Sequence, residues 1–282
     1  MEVAYQGEPG AYGEEAVIGH FGADGVEPLP LPTFSAVCSA VASGSAAAAL
    51  LPIENSIAGS VGEAVDALIR SHLSVVGEVL LPVRHQLLAL PGVAGSEVRS
   101  VASHRQALAQ CEAYLARGGW TVVVAEDTAG AARELSESGD RSRAVIASVR
   151  AAERYGLEIL ERDIQDHDGN MTRFVVAIPD GAETPSARGA LAPSADAPYT
   201  TLVVFETRHV PGALHYALGA FAEAGVNMSR IESRPTGRTH WQYRFLVALA
   251  GDAEEEPLAS ALEALRERTH DLRVLGSFNS AG

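Results

Sequence analysis

The stretch Asp180 to Tyr199, DGAETPSARGALAPSADAPY, divides this chain in two. Pro185, Pro193 and Pro198 punctuate it, and no apolar periodicity runs through it. A structureless run of this length is out of place inside a compact domain, so it reads as a linker. It separates residues 1–179 from a tail, residues 200–282. Upstream, short apolar runs alternate with helical patterns. Val3 to Tyr5, Ala48 to Leu51, Leu73 to Leu80, Ser100 to Ala102, Thr121 to Ala125, Arg143 to Ile146 and Met171 to Ile178 read as strands. Glu14 to His20, Val61 to Ile69, Ala107 to Arg117 and Ala129 to Leu135 read as helices. Such alternation predicts an α/β architecture with largely parallel sheets. The tail reads as strand (Thr201 to Glu206), helix (Ala213 to Ala224), strand (Asn227 to Arg234), strand (His240 to Leu249), helix (Pro257 to Arg268) and strand (Leu272 to Ser277). That β-α-β-β-α-β order is the ferredoxin-like pattern.

Composition narrows the possible chemistry. The 282 residues are 47% hydrophobic and 20% charged, ordinary for a globular protein. The net charge is −15, and all 21 basic residues are Arg. No basic stripe offers itself to a phosphate backbone, so nucleic acid is not an expected partner. Met1 to Gly7 lack the features of a signal peptide, and the most apolar window, Ala46 to Ile53, is far short of a membrane span. The expectation is a cytoplasmic protein with no membrane partner, and with Cys38 and Cys111 as reduced thiols.

Four strand ends in the first region share one design: an apolar run, then Gly or small polar residues, then a helix. They are Gln6 to Tyr12, Pro52 to Ser56 followed by Gly59-Ser60, Ser103-His104 and Asp127-Thr128. Each aims helix N–H groups at the carboxyl edge of a sheet, where open α/β folds bind ligands. One such turn is only an N-cap, but four together predict an anion-binding cleft. Gly7, Gly10 and Gly13 are not a dinucleotide fingerprint, because Pro9 stands where the second Gly must be. A Walker A sequence needs a Lys, and the chain has none. Asp163, Asp166 and Asp168 lack the partners of a calcium loop, and the nine His show no metal-ligand spacing. Neither a metal nor a cofactor is expected. Near the end of the region, Asn170-Met171-Thr172-Arg173-Phe174 opens an otherwise apolar strand. It reads either as an edge strand or as a guanidinium fork beside a hydroxyl donor.

Pro52 to Ser56 with Gly59 to Val61, Ser103 to Leu108, Ala144 to Ser148 with Tyr155-Gly156, and Asn170 to Phe174 together resemble the prephenate dehydratase family. In the tail, Pro211 to Leu214, Asn227 to Ser229 and Glu232 to Pro235 resemble the ACT regulatory domain joined to that enzyme. Two residues depart from the family pattern: Arg105, where Pro is usual, and Ala248, where an acid is usual. The resemblance implies a two-lobed catalytic domain of the type II periplasmic-binding-protein kind. Lobe one takes about residues 1–80 and 169–179, lobe two about 81–168, and the cleft lies between them.

The implied reaction is loss of carbon dioxide and water from prephenate, giving phenylpyruvate, with no cofactor because the product ring is aromatic. Thr172 would donate a hydrogen bond to the departing hydroxyl, Arg173 would anchor a carboxylate and Phe174 would form an apolar wall. Asn55, Ser56 and Thr128 would add donors, with Ser60, Ala11 and Tyr12 completing the substrate contacts. Glu54 would be a helix-start carboxylate or the proton source. In the tail, Gly212, Ala213, Leu214, Asn227, Met228, Ser229, Glu232, Ser233, Arg234 and Pro235 would bind phenylalanine between two subunits, making a homodimer or homotetramer the expected form. Arogenate dehydratase and a non-catalytic amino-acid-binding module are the alternatives.

Overall fold

Apolar runs bounded by glycines and polar turns become strands, and the amphipathic stretches between them become helices. The structure, a computed structural model, describes residues 1–237 and 242–281. The chain begins β1 (Glu2–Gln6), α1 (Tyr12–Phe21), β2 (Glu27–Leu31), α2 (Phe34–Ala42), β3 (Ala48–Asn55), β4 (Gly59–Ser60), α3 (Gly62–Arg70) and β5 (Leu73–Pro82). It continues β6 (Gln86–Ala89), β7 (Ser100–His104), α4 (Arg105–Gln110), α5 (Glu112–Gly118), β8 (Thr121–Ala125), α6 (Thr128–Ser138) and β9 (Arg143–Ala147). Then follow α7 (Val149–Tyr155), β10 (Glu158–Glu161) and β11 (Met171–Pro179). The C-terminal unit is β12 (Tyr199–Glu206), α8 (Ala213–Ala224), β13 (Met228–Pro235), β14 (Tyr243–Ala250), α9 (Leu258–Arg268) and β15 (His270–Asn279). His240 and Trp241, expected to open the third strand of the tail, lie outside the described residues.

Three sheets result. One has the order β2-β1-β3-β11-β5 with β4 paired to β3, the second β10-β6-β9-β7-β8, and the third β13-β14-β12-β15. The chain leaves the first sheet after Pro82, enters the second at Gln86, and comes back between Glu161 and Met171. This return explains a departure from the largely parallel arrangement predicted above. β1 runs parallel to β2 and β3, and β7 to β8 and β9. β11, arriving from the second lobe, enters antiparallel to both β3 and β5, and β6 lies antiparallel to β9 and β10. A helical crossover enforces parallel pairing; a strand arriving from the other lobe is free of that constraint.

Several elements escape a reading of the sequence. β2 holds Pro28 and Pro30, which discourage a strand assignment, and it survives because it is an edge strand paired to β1 alone. The predicted helix Ala107 to Arg117 is two helices, broken at Cys111. There the returning segment takes the freed backbone groups: Asp166 N–H donates to Gln110 O at 2.7 Å, and Asp166 Oδ2 accepts from Ala113 N–H at 3.1 Å. The Pro-rich segment is docked rather than free. Arg188 N–H donates to His20 O and Leu191 N–H to Gly19 O, each at 3.1 Å, and Leu191 packs beside Val17 and Phe21. Gly19 permits this closeness, since a Cβ there would lie 2.7 Å from Leu191 Cδ1.

The strands β12 and β14 of the C-terminal sheet are buried on both faces. Val203, Phe205, Phe245, Val247 and Leu249 pack under α8 and α9. Leu202, Val204, Leu246, Ala248, Leu275 and Phe278 join the core formed by α2, α3, β3 and β5 of the first lobe. Unbroken apolar runs such as Leu202 to Phe205 are the sequence mark of a strand buried on both sides.

Candidate active site

The four strand-end turns line one cleft of about 650 Å³, which draws on Gln6, Ala11, Tyr12, Asn55, His104, Asp127, Thr128, Thr172 and Phe174. Their helix starts differ chemically. Asp127 Oδ1 caps α6 by accepting from Gly130 N–H at 2.6 Å, and His104 Nδ1 caps α4 by accepting from Gln106 N–H at 3.3 Å. α1 begins after Ala11, which offers no side-chain acceptor, so its first N–H groups have no side-chain cap. At the mouth of this turn the second lobe grips the first. Ser148 Oγ donates to Gly10 O at 2.8 Å and Tyr155 Oη to Pro9 O at 2.6 Å. Gly10 sits at φ +90°, and a Cβ there would press on the backbone of Ala151. The buried Glu14 carboxylate accepts from Gly10 N–H and pairs with Arg150 of α7 at 3.0 Å. Burial, reinforced by this carboxylate, pushes the nearby Tyr5 hydroxyl well above its ordinary pKa.

The centre of the cleft is the β3–β11 pair, where Thr172 stands opposite Asn55 and Arg173 opposite Glu54. Asn55 Oδ1 accepts from Ile57 N–H at 3.1 Å and Ala58 N–H at 2.9 Å, which fixes the direction of the amide. Its Nδ2 therefore faces Thr172 Oγ1 at 3.0 Å and Asn170 Oδ1 at 2.8 Å as donor. With its oxygen accepting from Asn55, the Thr172 hydroxyl is left to donate elsewhere. The order propagates onward. Asn170 Nδ2 donates to Gln110 Oε1 at 3.0 Å, and His85 Nε2 meets the same oxygen at 2.8 Å, so the neutral imidazole carries its proton on Nε2. His85 Nδ1 then faces the Tyr12 hydroxyl at 2.7 Å, whose single proton is shared between it and Arg84 O at 3.0 Å. Burial lowers the His85 pKa, with the Gln110 contact opposing it, and burial raises the Tyr12 pKa far above its usual value.

Not every residue singled out in the sequence faces this cleft. Successive side chains on a strand point to opposite faces. Thr172 and Phe174 line the cleft, while Arg173 turns away to Glu78 at 3.1 Å and Glu54 at 3.7 Å. The expectation of Arg173 as a carboxylate anchor is corrected accordingly. Glu54 also lies on the far face, between Arg173 and Arg230 of β13. Ser60 Oγ donates to Glu232 at 2.7 Å, away from the cleft. Ser56 fastens the returning chain instead: its Oγ donates to Gly169 O and accepts from Met171 N–H, each at 2.9 Å. Ala11, Tyr12 and Thr128 do line the cleft, whereas Asn55 spends its donors within the protein. His85, Gln110 and Asn170 were missed as site residues. Asn170 could have been found beside Thr172, but His85 and Gln110 carry no local signal, since only the chain crossing brings them here.

The residues expected to bind an effector fall into two groups. Gly212, Ala213 and Leu214 line a cavity of about 530 Å³ with Val210, Pro211 and Tyr243. Asn227, Met228, Ser229, Glu232, Ser233, Arg234 and Pro235 do not line it. Along β13, Glu232 and Arg234 point to the first lobe, with Arg234 paired to Asp66 at 2.7 Å, while Ser229, Ser233 and Pro235 are exposed. Asp66 is held below its usual carboxylate range by the hydrogen bond from Arg234. Among the described residues, no three His, Cys, Asp or Glu gather as metal ligands, and no helix is long and apolar enough to cross a membrane.

Residues 3–180 match the prephenate dehydratase family and residues 201–267 the ACT domain family. The chain is 40% identical to arogenate dehydratase/prephenate dehydratase 6, chloroplastic, of Arabidopsis thaliana, over 99% of this chain and 68% of that protein. It is 37% identical to a bifunctional N-acyl-homoserine lactone acylase/prephenate dehydratase of Komagataeibacter europaeus, over 98% of this chain and 95% of that protein. The crystal structure of prephenate dehydratase from Arthrobacter aurescens in complex with L-Phe superimposes with a TM-score of 0.89, at 32% identity, covering 100% of this chain and 90% of that one. The chain belongs to the prephenate dehydratase family, with an α/β catalytic domain and a C-terminal ACT domain.

Proposed function

We propose that this chain is a lyase that converts prephenate to phenylpyruvate, carbon dioxide and water, and that phenylalanine bound to its ACT domain regulates it. The observation that carries the reading is the directed Thr172 hydroxyl: Asn55 occupies its oxygen, so its proton is free for an acceptor in the cleft. In the reaction the ring carboxylate leaves as carbon dioxide, its bonding electrons enter the ring, and the ring hydroxyl departs with a proton. A Thr hydroxyl is a weak acid but an effective hydrogen-bond donor to developing hydroxide. Phe174 walls the ring, and Ala11 and Tyr12 stand at the start of α1, which has no side-chain cap and suits a carboxylate. No Arg lines the cleft among the described residues.

A second reading is arogenate, which has an ammonium where prephenate has a keto oxygen. Glu63, Glu126 and Asp127 line the cleft and favour a cation there. Side-by-side turnover of both substrates, with and without phenylalanine, tests the assignment. Turnover of prephenate suppressed by phenylalanine supports the first reading, faster turnover of arogenate the second, and turnover of neither leaves a binding module. A dimer or tetramer fits the effector residues, because one chain splits them between the cavity and the β13 edge. Two buried free thiols, Cys38 and Cys111, fit a cytoplasmic, reducing compartment.

A further inference from the structure

Arg173, the neighbour of Thr172, is held by two carboxylates, and the ACT domain touches both. Glu78 is 3.1 Å from Arg173 Nη1 through Oε2, while its Oε1 accepts from Ala281 N–H at 3.2 Å. Glu54 Oε2 is 3.7 Å from Arg173 Nε and 3.7 Å from Arg230 Nη1. One oxygen is thus shared between two guanidinium groups from two domains, within ion-pair range of each and in hydrogen-bond range of neither. Arg230 is only 10% exposed, and its Nη1 finds no hydrogen-bond partner. Its Nη2 donates to Ile53 O at 3.0 Å and to Glu232 at 2.6 Å, and lies 3.4 Å from Ser60 Oγ. Arg230 therefore reads the back of the β3–β4 hairpin whose front carries Asn55.

We propose that Arg230 is a positioning residue for the dehydratase site, acting through Glu54 on Arg173 and so on the Thr172–Asn55 pair. This role presupposes the dehydratase activity proposed above. Thr172 pairs with Asn55 and Arg173 with Glu54 at adjacent positions of one register, so a shift of the Arg173–Glu54 pair is felt on the cleft face. Ala248, opposite Arg230 in register, brings no charge, and among the described residues Glu54 and Glu232 are the carboxylates in ion-pair range of Arg230. Arg234 acts differently: it clamps Asp66 with two hydrogen bonds, at 2.9 and 2.7 Å, and anchors β13 to α3. Movement of β13 toward the hairpin draws Glu54 away from Arg173, and movement away returns it. An effector that moves β13 has here a direct mechanical and electrostatic line to the catalytic strands.

The test uses the full chain and compares the parent with Arg230→Gln, Arg230→Lys, Glu54→Gln and the double variant Arg230→Gln/Glu54→Gln. Arg230→Gln is expected to lower kcat about tenfold with KM within about twofold, and Arg230→Lys to recover most of it. The double variant should be no slower than the slower single variant, because both act through one contact. The activity that remains at saturating phenylalanine, relative to the uninhibited rate, should rise at least about fivefold in Arg230→Gln, while calorimetric binding of phenylalanine changes less than about twofold. Unchanged kcat and unchanged inhibition in a folded Arg230→Gln protein overturn the proposal, as do multiplicative effects in the double variant. If Arg230→Gln does not fold, Glu54→Gln carries the test from the catalytic side, and kcat equal to the parent overturns the proposal. A parent that turns over neither substrate fails the dehydratase reading itself, and with it any role of Arg230 in positioning.

Discussion

Asn55 Nδ2 stands 3.0 Å from Thr172 Oγ1, and it can only donate, because the backbone N–H groups of Ile57 and Ala58 claim Asn55 Oδ1. A single asparagine orientation thus sets the direction of the hydroxyl proton in the cleft. It also makes the distinction between donating to substrate and ordering the donor experimentally accessible.

Thr172→Ala removes the directed hydroxyl. Steady-state kinetics should show kcat lower by about 10²–10⁴-fold with KM little changed, and Thr172→Ser should keep most of the activity. Equal loss in both variants would count against the hydroxyl.

Asn55→Asp keeps the shape and reverses the hydrogen bond. A carboxylate accepts the Thr172 proton and turns it from the cleft, while facing Asn170 Oδ1 with a second acceptor. The kcat should fall at least about tenfold, with a lower Tm from the unmatched acceptors. Retained kcat would mean that Thr172 orientation is unimportant.

Glu14 is buried in the first lobe and paired with Arg150 of the second at 3.0 Å, with Arg154 at 3.6 Å. Arg150→Met leaves that carboxylate short of its main partner. Loss of one partner of a buried pair costs about 3–5 kcal/mol, the upper limit here because Arg150 is part-exposed. Denaturant unfolding should show a clear drop in midpoint.

His20 and His85 are each at most 3% exposed, and burial lowers both pKa values. A base with a depressed folded pKa contributes stability that is complete above the unfolded value, about 6.5, and that is lost as pH falls through the folded one. Tm should therefore drop as pH falls below about 6.5. Glu15, whose carboxyl burial pushes upward, works in the opposite sense at lower pH. Comparing His20→Leu with the parent isolates the histidine contribution, and a slope identical to the parent's would exclude His20 from it.

Leu191 seats the Pro-rich segment on α1. Leu191→Ala should raise the rate of proteolysis within residues 180–199 several-fold and leave dehydratase kcat within about twofold. Unaltered cleavage would show that backbone hydrogen bonds alone hold the segment.

The sequence by itself determined the α/β class, the β-α-β-β-α-β order of the tail and the turns that meet at the cleft. These are local: periodicity, glycine and capping chemistry act over a few residues and survive whatever the rest of the chain does. Strand alternation sets Thr172 and Phe174 on one face of β11 and Arg173 on the other. Which face met the cleft was a matter of tertiary structure. β11 arrives from the second lobe antiparallel to β3, and its register puts Thr172 beside Asn55 and turns Arg173 toward Glu78 and the ACT domain. Tertiary structure likewise decided that Glu54, Ser60, Glu232 and Arg234 form a domain contact, and that Tyr12 and His85, 73 residues apart, share a hydrogen bond. A strand's sequence fixes that neighbouring side chains oppose each other, but only the packing of distant segments gives each face something to meet.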